Sequence, residues 1–212
     1  MYSSMYLIRK DFVLTRKFML LLIPYYLLMG YTNAEGYTLF SLFPAMLMLV
    51  NACTIDMQNN NLKFLVSLPL PRQRLVLAKY LTLIPFTLFS LICTLLLFSF
   101  ATIMGRLDEP LRWRELGLSV AAFPLLASFY LPLYYWLGQK GKQVVNFVFI
   151  MLIMFNITAL SSLTKRYPAL SEWVQTGNIS NSVIVVIGIL AYIIIIYGSY
   201  LLSLRIFSKK DI

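Results

Sequence analysis

Lys and Arg number 18 in this chain against 8 Asp and Glu, and His is absent. Without His, His-based triads, His general bases and the HExxH type of zinc site are excluded. The only Gly-Lys, Gly141-Lys142, has Trp136 where a phosphate loop needs Gly and Gln143 where a Ser or Thr would bind magnesium, so it reads as a tight basic turn. Cys53 and Cys93 each stand inside an apolar run and read as small hydrophobes. The polar spacing that does carry information runs from Asp56 through Lys63, Arg72 and Arg74 to Lys79, with the apolar stretch Leu62–Leu68 stranded between these charges. Such a pattern suits mechanical work. Leu62, Phe64, Leu65 and Leu68 allow a short helix stopped by Pro69 and Pro71, and a partner pressing on it would move whatever flanks it.

What flanks it is membrane. The chain is 60% hydrophobic and 12% charged, with a mean hydropathy of +0.78, whereas a soluble domain carries roughly 25% charged residues. Six runs contain no ionisable Asp, Glu, Lys, Arg or His: Phe18–Asn33, Tyr37–Ile55, Tyr80–Met104, Leu116–Leu137, Val144–Leu163 and Ser182–Leu204. A bilayer imposes that pattern, because a charge at its centre costs about 2.5–3.5 kcal/mol. The expected fold is therefore all-α, a polytopic membrane protein of six transmembrane helices forming a single domain over residues 1–212. A core without ionisable groups offers no proton relay or carboxylate ion site, so energy for uphill transport would enter from outside the membrane.

Orientation follows from the cations. One side holds Arg9, Lys10, Arg16, Lys17, Lys63, Arg72, Arg74, Lys79, Lys140, Lys142, Arg205, Lys209 and Lys210; the other holds Arg106, Arg112, Arg114, Lys165 and Arg166. The richer side is read as cytoplasmic, with both termini on it. The net charge of +10 is then topological, and nucleic acid is not an expected partner. No cleavable signal is evident, since the first apolar run lacks an A-x-A-like site behind it. Residues 1–17 place Met5, Ile8 and Phe12 at helical spacing with Arg9/Arg16 and Lys10/Lys17 seven apart, as an interfacial helix over anionic headgroups would. Pro24, Pro44, Pro85, Pro124 and Pro132 suggest kinks. The extracytoplasmic loop 161–181 reads equally as a re-entrant helix, an aromatic cap or a plain connection. Asn51, Asn146 and Asn156 suit bonds between helices or the lining of a polar passage. Tyr130 and Tyr134 suit an aromatic belt or a substrate path.

The linking segment resembles the permease subunits of type-2 ABC transporters. An acidic residue closing the second span and a signature of the form SLP-x-x-R-x-x-(L/I)-V-x-(A/S)-K-Y are matched by Asp56, Ser67, Leu68, Pro69, Arg72, Leu75, Val76, Ala78, Lys79 and Tyr80. The stretch Leu7-Ile8-Arg9-Lys10-Asp11-Phe12 is similar to that family's amino-terminal interface helix. Asn59-Asn60-Asn61 departs from the acidic residues common there. The resemblance implies coupling to an ATPase through Lys10, Asp11, Asp56, Leu62, Lys63, Phe64, Leu65, Ser67, Leu68, Pro69 and Arg72. It implies two cytosolic ABC ATPase subunits per complex, a second copy of the permease or a close relative, and surrounding lipid. No cofactor is expected on this chain, since ATP and magnesium belong to the partner ATPase. The implied setting is a bacterial plasma membrane, and the implied activity is export of amphipathic peptides, toxins or drugs. An ATP-independent channel, a secondary transporter and a non-conducting partner subunit are the alternatives.

Overall fold

The computed structural model describes residues 2–32, 42–58, 64, 71–105, 111, 113–166 and 182–209. Every regular element among the described residues is helical: α1 (Tyr2–Thr32), α2 (Phe43–Met57), α3 (Arg72–Leu81), α4 (Leu83–Ile103), α5 (Trp113–Arg166) and α6 (Ser182–Ser208).

α1 is one continuous helix of 31 residues. It joins the expected interfacial helix to the expected first span without a break. Asp11, Thr15, Met19, Leu22 and Tyr26 form its buried face, at the spacing one side of a helix requires. Met5 and Phe12 point away from the protein. α2 is buried on nearly every side, with Met46, Met48, Leu49 and Cys53 wholly enclosed. Pro44 lies in its first turn, where the missing N–H costs nothing, so it starts the helix instead of kinking it. The third span was expected from Tyr80; the helix begins earlier, at Arg72. α3 runs almost collinearly into α4 through Thr82, whose backbone is helical (φ −67°, ψ −14°) and whose hydroxyl donates to the Lys79 carbonyl at 2.7 Å. At the other end of α4, Gly105 (φ 63°) donates to Thr102 O and closes the helix in the left-handed conformation that Gly adopts freely.

α5 spans 54 residues but is interrupted at Gly138 (φ 58°, ψ −151°). The interruption is a reversal. Tyr130 Oη donates to Asn146 Oδ1 at 2.8 Å across 16 residues, which a straight helix would separate by about 24 Å. The two arms thus form a hairpin, matching the tight turn read from Gly138–Lys142. α6 then packs along the first arm. Tyr192 Oη donates to Ala121 O, and Ser199 Oγ to Ser128 O, both with a sequence offset of 71. A constant offset means two parallel helices in register, and the second arm of α5 is the return stroke between them.

Three helices among the described residues are long and apolar enough to cross a membrane: Arg72–Ile103, Val120–Gly138 and Gly188–Ser208; Phe43–Met57 is a shorter apolar helix. α6 exposes Ile189, Leu190, Ile193, Ile194, Leu201 and Leu202, an apolar surface suited to lipid and not to water. The protein is a multi-pass membrane protein.

Candidate functional site

Four charges meet at one end of the bundle. Lys79, in the last turn of α3, donates to Asp11 Oδ2 of α1 at 2.8 Å and to Asp56 Oδ2 of α2 at 2.5 Å. Lys10 donates to the other Asp56 oxygen at 2.6 Å. It also lies 3.2 Å from Asp11 Oδ1 as an ion pair without hydrogen-bond geometry, which leaves that buried oxygen lacking a donor among the described residues. The side chains of Lys79, Asp11 and Asp56 are 6%, 5% and 6% exposed, against 30% for Lys10. The cluster is thus dry on three members and opens to solvent at Lys10. Two positive and two negative charges balance, which makes the burial tolerable.

Each placement has a local reason. Asp56 occupies the last turn of α2, where the helix dipole disfavours an anion, so it depends on outside cations. Lys79, near the junction of α3 with α4, supplies the nearer of those cations. Asp56 lies one residue beyond the expected second span. Burial alone would raise its carboxyl, but Lys79 and then Lys10 outweigh that and hold it below the ordinary carboxylate range. A lowered folded-state pKa means that its contribution to stability is present above the unfolded value and lost as pH falls through the folded one. The melting temperature should therefore be flat from about pH 7 to about pH 5 and fall below about pH 4. Asp56→Asn should make the acid-side fall shallower, as pH-dependent melting in detergent would show.

Further contacts gather the remaining helix ends at this same place. The Arg72 guanidinium donates to the carbonyls of Phe207 and Ser208 at 3.2 and 3.1 Å and sits 5.9 Å from the Phe207 ring centroid. It thereby caps the orphan carbonyls at the end of α6. Tyr135, just before the Gly138 turn, packs its ring 5.1 Å from Phe207. Tyr134 and Tyr135, with Leu7, Leu75 and Phe207, complete the wall of a cavity of about 30 Å³ beside the four charges, room for a water molecule. Above it, Tyr80 Oη lies 2.6 and 3.0 Å from the hydroxyls of Ser199 and Ser203, joining α3 to α6.

Of the coupling residues read from the sequence, Lys10, Asp11 and Asp56 come together in the cluster, and Arg72 lies nearby on α3. Phe64 is helical and exposed. Leu62, Lys63, Leu65, Ser67, Leu68 and Pro69 lie outside the described residues, as do residues 167–181 of the expected outer loop. Of the passage candidates, Tyr130 and Tyr134 are buried and stacked with centroids 6.3 Å apart. Asn146 bridges Tyr130 to Thr54, donating to Thr54 Oγ1 at 2.8 Å. Asn51 is half-buried on α2, and Asn156 lies in the second arm of α5 with its side chain outside the description. Sequence reading places Lys79 among the cytoplasmic-side cations and in the linking signature, and misses it as the hub. The available signal was Asp56, an acid at the wrong end of a helix dipole, which demands a cation close by.

Apolar helices with lipid-facing surfaces converge at one end on a balanced ion cluster, the layout of a multi-pass membrane protein. Residues 6–208 match the family described as ABC-2 family transporter protein, and the chain belongs to that family, whose permeases work with ABC ATPase subunits. No curated protein and no solved structure matches the chain.

Proposed function

We propose that this chain is the permease subunit of an ATP-driven exporter, with six spans and both termini in the cytoplasm of a bacterial cell. Two copies, or one copy and a close relative, would enclose the passage, and two ATPase subunits bearing ATP and magnesium would sit beneath. The observation that carries the reading is convergence. Residues near 10, 56, 79, 135 and 207 contact one another, which supports a chain that returns to one end after every second pass. Both ends of the segment 56–79, and much of the cation-rich side, lie at that end. ATP binding would press the ATPases against this segment and α1, and so switch the passage from inward to outward access. Asn51 and Asn156 are the polar residues proposed to face the passage; Tyr130, Tyr134 and Asn146 would brace its wall from within the protomer. A passage without fixed charge suits amphipathic peptides, toxins or drugs better than small ions.

The test is co-purification with an ABC ATPase, followed by ATP turnover and export with Phe64→Ala and Leu65→Ala. Loss of the ATPase, or at least a tenfold fall in turnover (about 1.4 kcal/mol), is expected. Unchanged assembly, turnover and export in both variants would overturn the coupling role. Solute movement by the permease alone in ATPase-free vesicles would favour a channel or secondary transporter.

A further inference from the structure

The segment between Asp56 and Lys79 has its two ends fastened to each other, because these residues, 23 apart in sequence, form a direct ion pair. Lys79 uses a second N–H to hold Asp11, 68 residues away on α1. One ammonium therefore ties three helices at their bases. We propose that Asp11, Lys79 and Asp56 form a clamp that makes the start of α1, the end of α2 and the whole of α3 one rigid body, so that a push on the intervening segment is delivered to α1, α2 and α4 together.

The physical case rests on dryness and geometry. With Lys79, Asp11 and Asp56 almost fully enclosed, drawing Lys79 away from Asp11 would strand a carboxylate that takes no hydrogen bond from Lys10, so independent motion of α1 against α3 is strongly disfavoured. α4 follows α3 because the Thr82 junction preserves helical hydrogen bonding, with Thr82 N donating to Ala78 O at 2.9 Å and Phe86 N to Thr82 O at 3.3 Å. Lys10 guards the solvent side without closing it. Asp11 is thus a positioning residue that acts through Lys79, and the proposal rests on the permease reading only where it concerns the direction of force.

Spin labels at Phe12→Cys on α1 and Gln73→Cys on α3, both exposed positions, report the clamp directly; the native Cys53 and Cys93 are buried and should stay unlabelled. In the purified permease without ATPase, a single narrow distance is expected, and Asp11→Asn should at least about double its width. Leu97→Ala, a cavity variant on α4 remote from the cluster, controls for general loss of stability and should keep the narrow distance. A narrow distance in Asp11→Asn, or equal broadening in Leu97→Ala, would overturn the clamp. In the ATPase complex, the same distance should stay within about 2 Å between nucleotide-free and vanadate-trapped states; a larger change would overturn rigid-body transmission. Failure of any ATPase to assemble would defeat the permease reading instead, leaving the nucleotide-free comparison to decide the clamp.

Discussion

Lys79→Met is expected to destabilise the protein by about 3–5 kcal/mol, the cost of breaking a buried ion network from one side. The substitution keeps the length of the side chain but leaves Asp11 and Asp56 enclosed with only Lys10 between them. Lys10 reaches Asp56 at 2.6 Å, yet has no hydrogen-bond geometry toward Asp11. The stranded charge is therefore mainly that of Asp11. This assigns the rescue: adding Asp11→Asn to Lys79→Met should restore most of the loss, because the surviving Lys10–Asp56 pair is balanced and hydrogen-bonded. Adding Asp56→Asn should restore less, since it keeps the poorer Lys10–Asp11 contact. The melting temperature of detergent-purified protein measures all three. Equal melting of Lys79→Met and the parent would mean that the cluster carries no net burial penalty.

The same cluster shows where sequence reading succeeds and where it stops. The apolar runs were legible because the bilayer tolerates no charge in its core, and α4, both arms of α5 and α6 occupy the expected runs. The termini of elements were less so. α3 extends the third span back to Arg72, because Arg72 and Lys79 find partners within the protein. On α1, Met5, Ile8 and Phe12 mark an apolar stripe, but the face turned to the protein runs through Asp11 and Thr15. An ion partner 68 residues away overrode local hydrophobicity, and no periodicity in one helix reports such a partner. Lys10, Asp11 and Asp56 were each visible as candidate coupling residues. Their meeting depends on the packing of α1 between α2, α3 and α4, a property of the assembled bundle.

Gly138→Ala is expected to cost about 1–3 kcal/mol, because φ 58° with ψ −151° is backbone territory almost closed to residues with a Cβ. The consequence should reach beyond local strain. Gly138 reverses α5, and the reversal brings Asn146 to Tyr130 and Thr54, which pins the second arm to both the first arm and α2. A straightened turn would break both bonds at once, each worth roughly 0.6 kcal/mol on average between membrane helices. Two controls separate these contributions. Asn146→Leu removes the bonds but keeps the turn, and should lose less than Gly138→Ala. Gly105→Ala, also at positive φ but with open space around its Cβ, should cost only about 1 kcal/mol, since it ends α4 without aligning a distant pair. Should Gly138→Ala melt no earlier than Gly105→Ala, the hairpin would have to be held by contacts other than the bend itself.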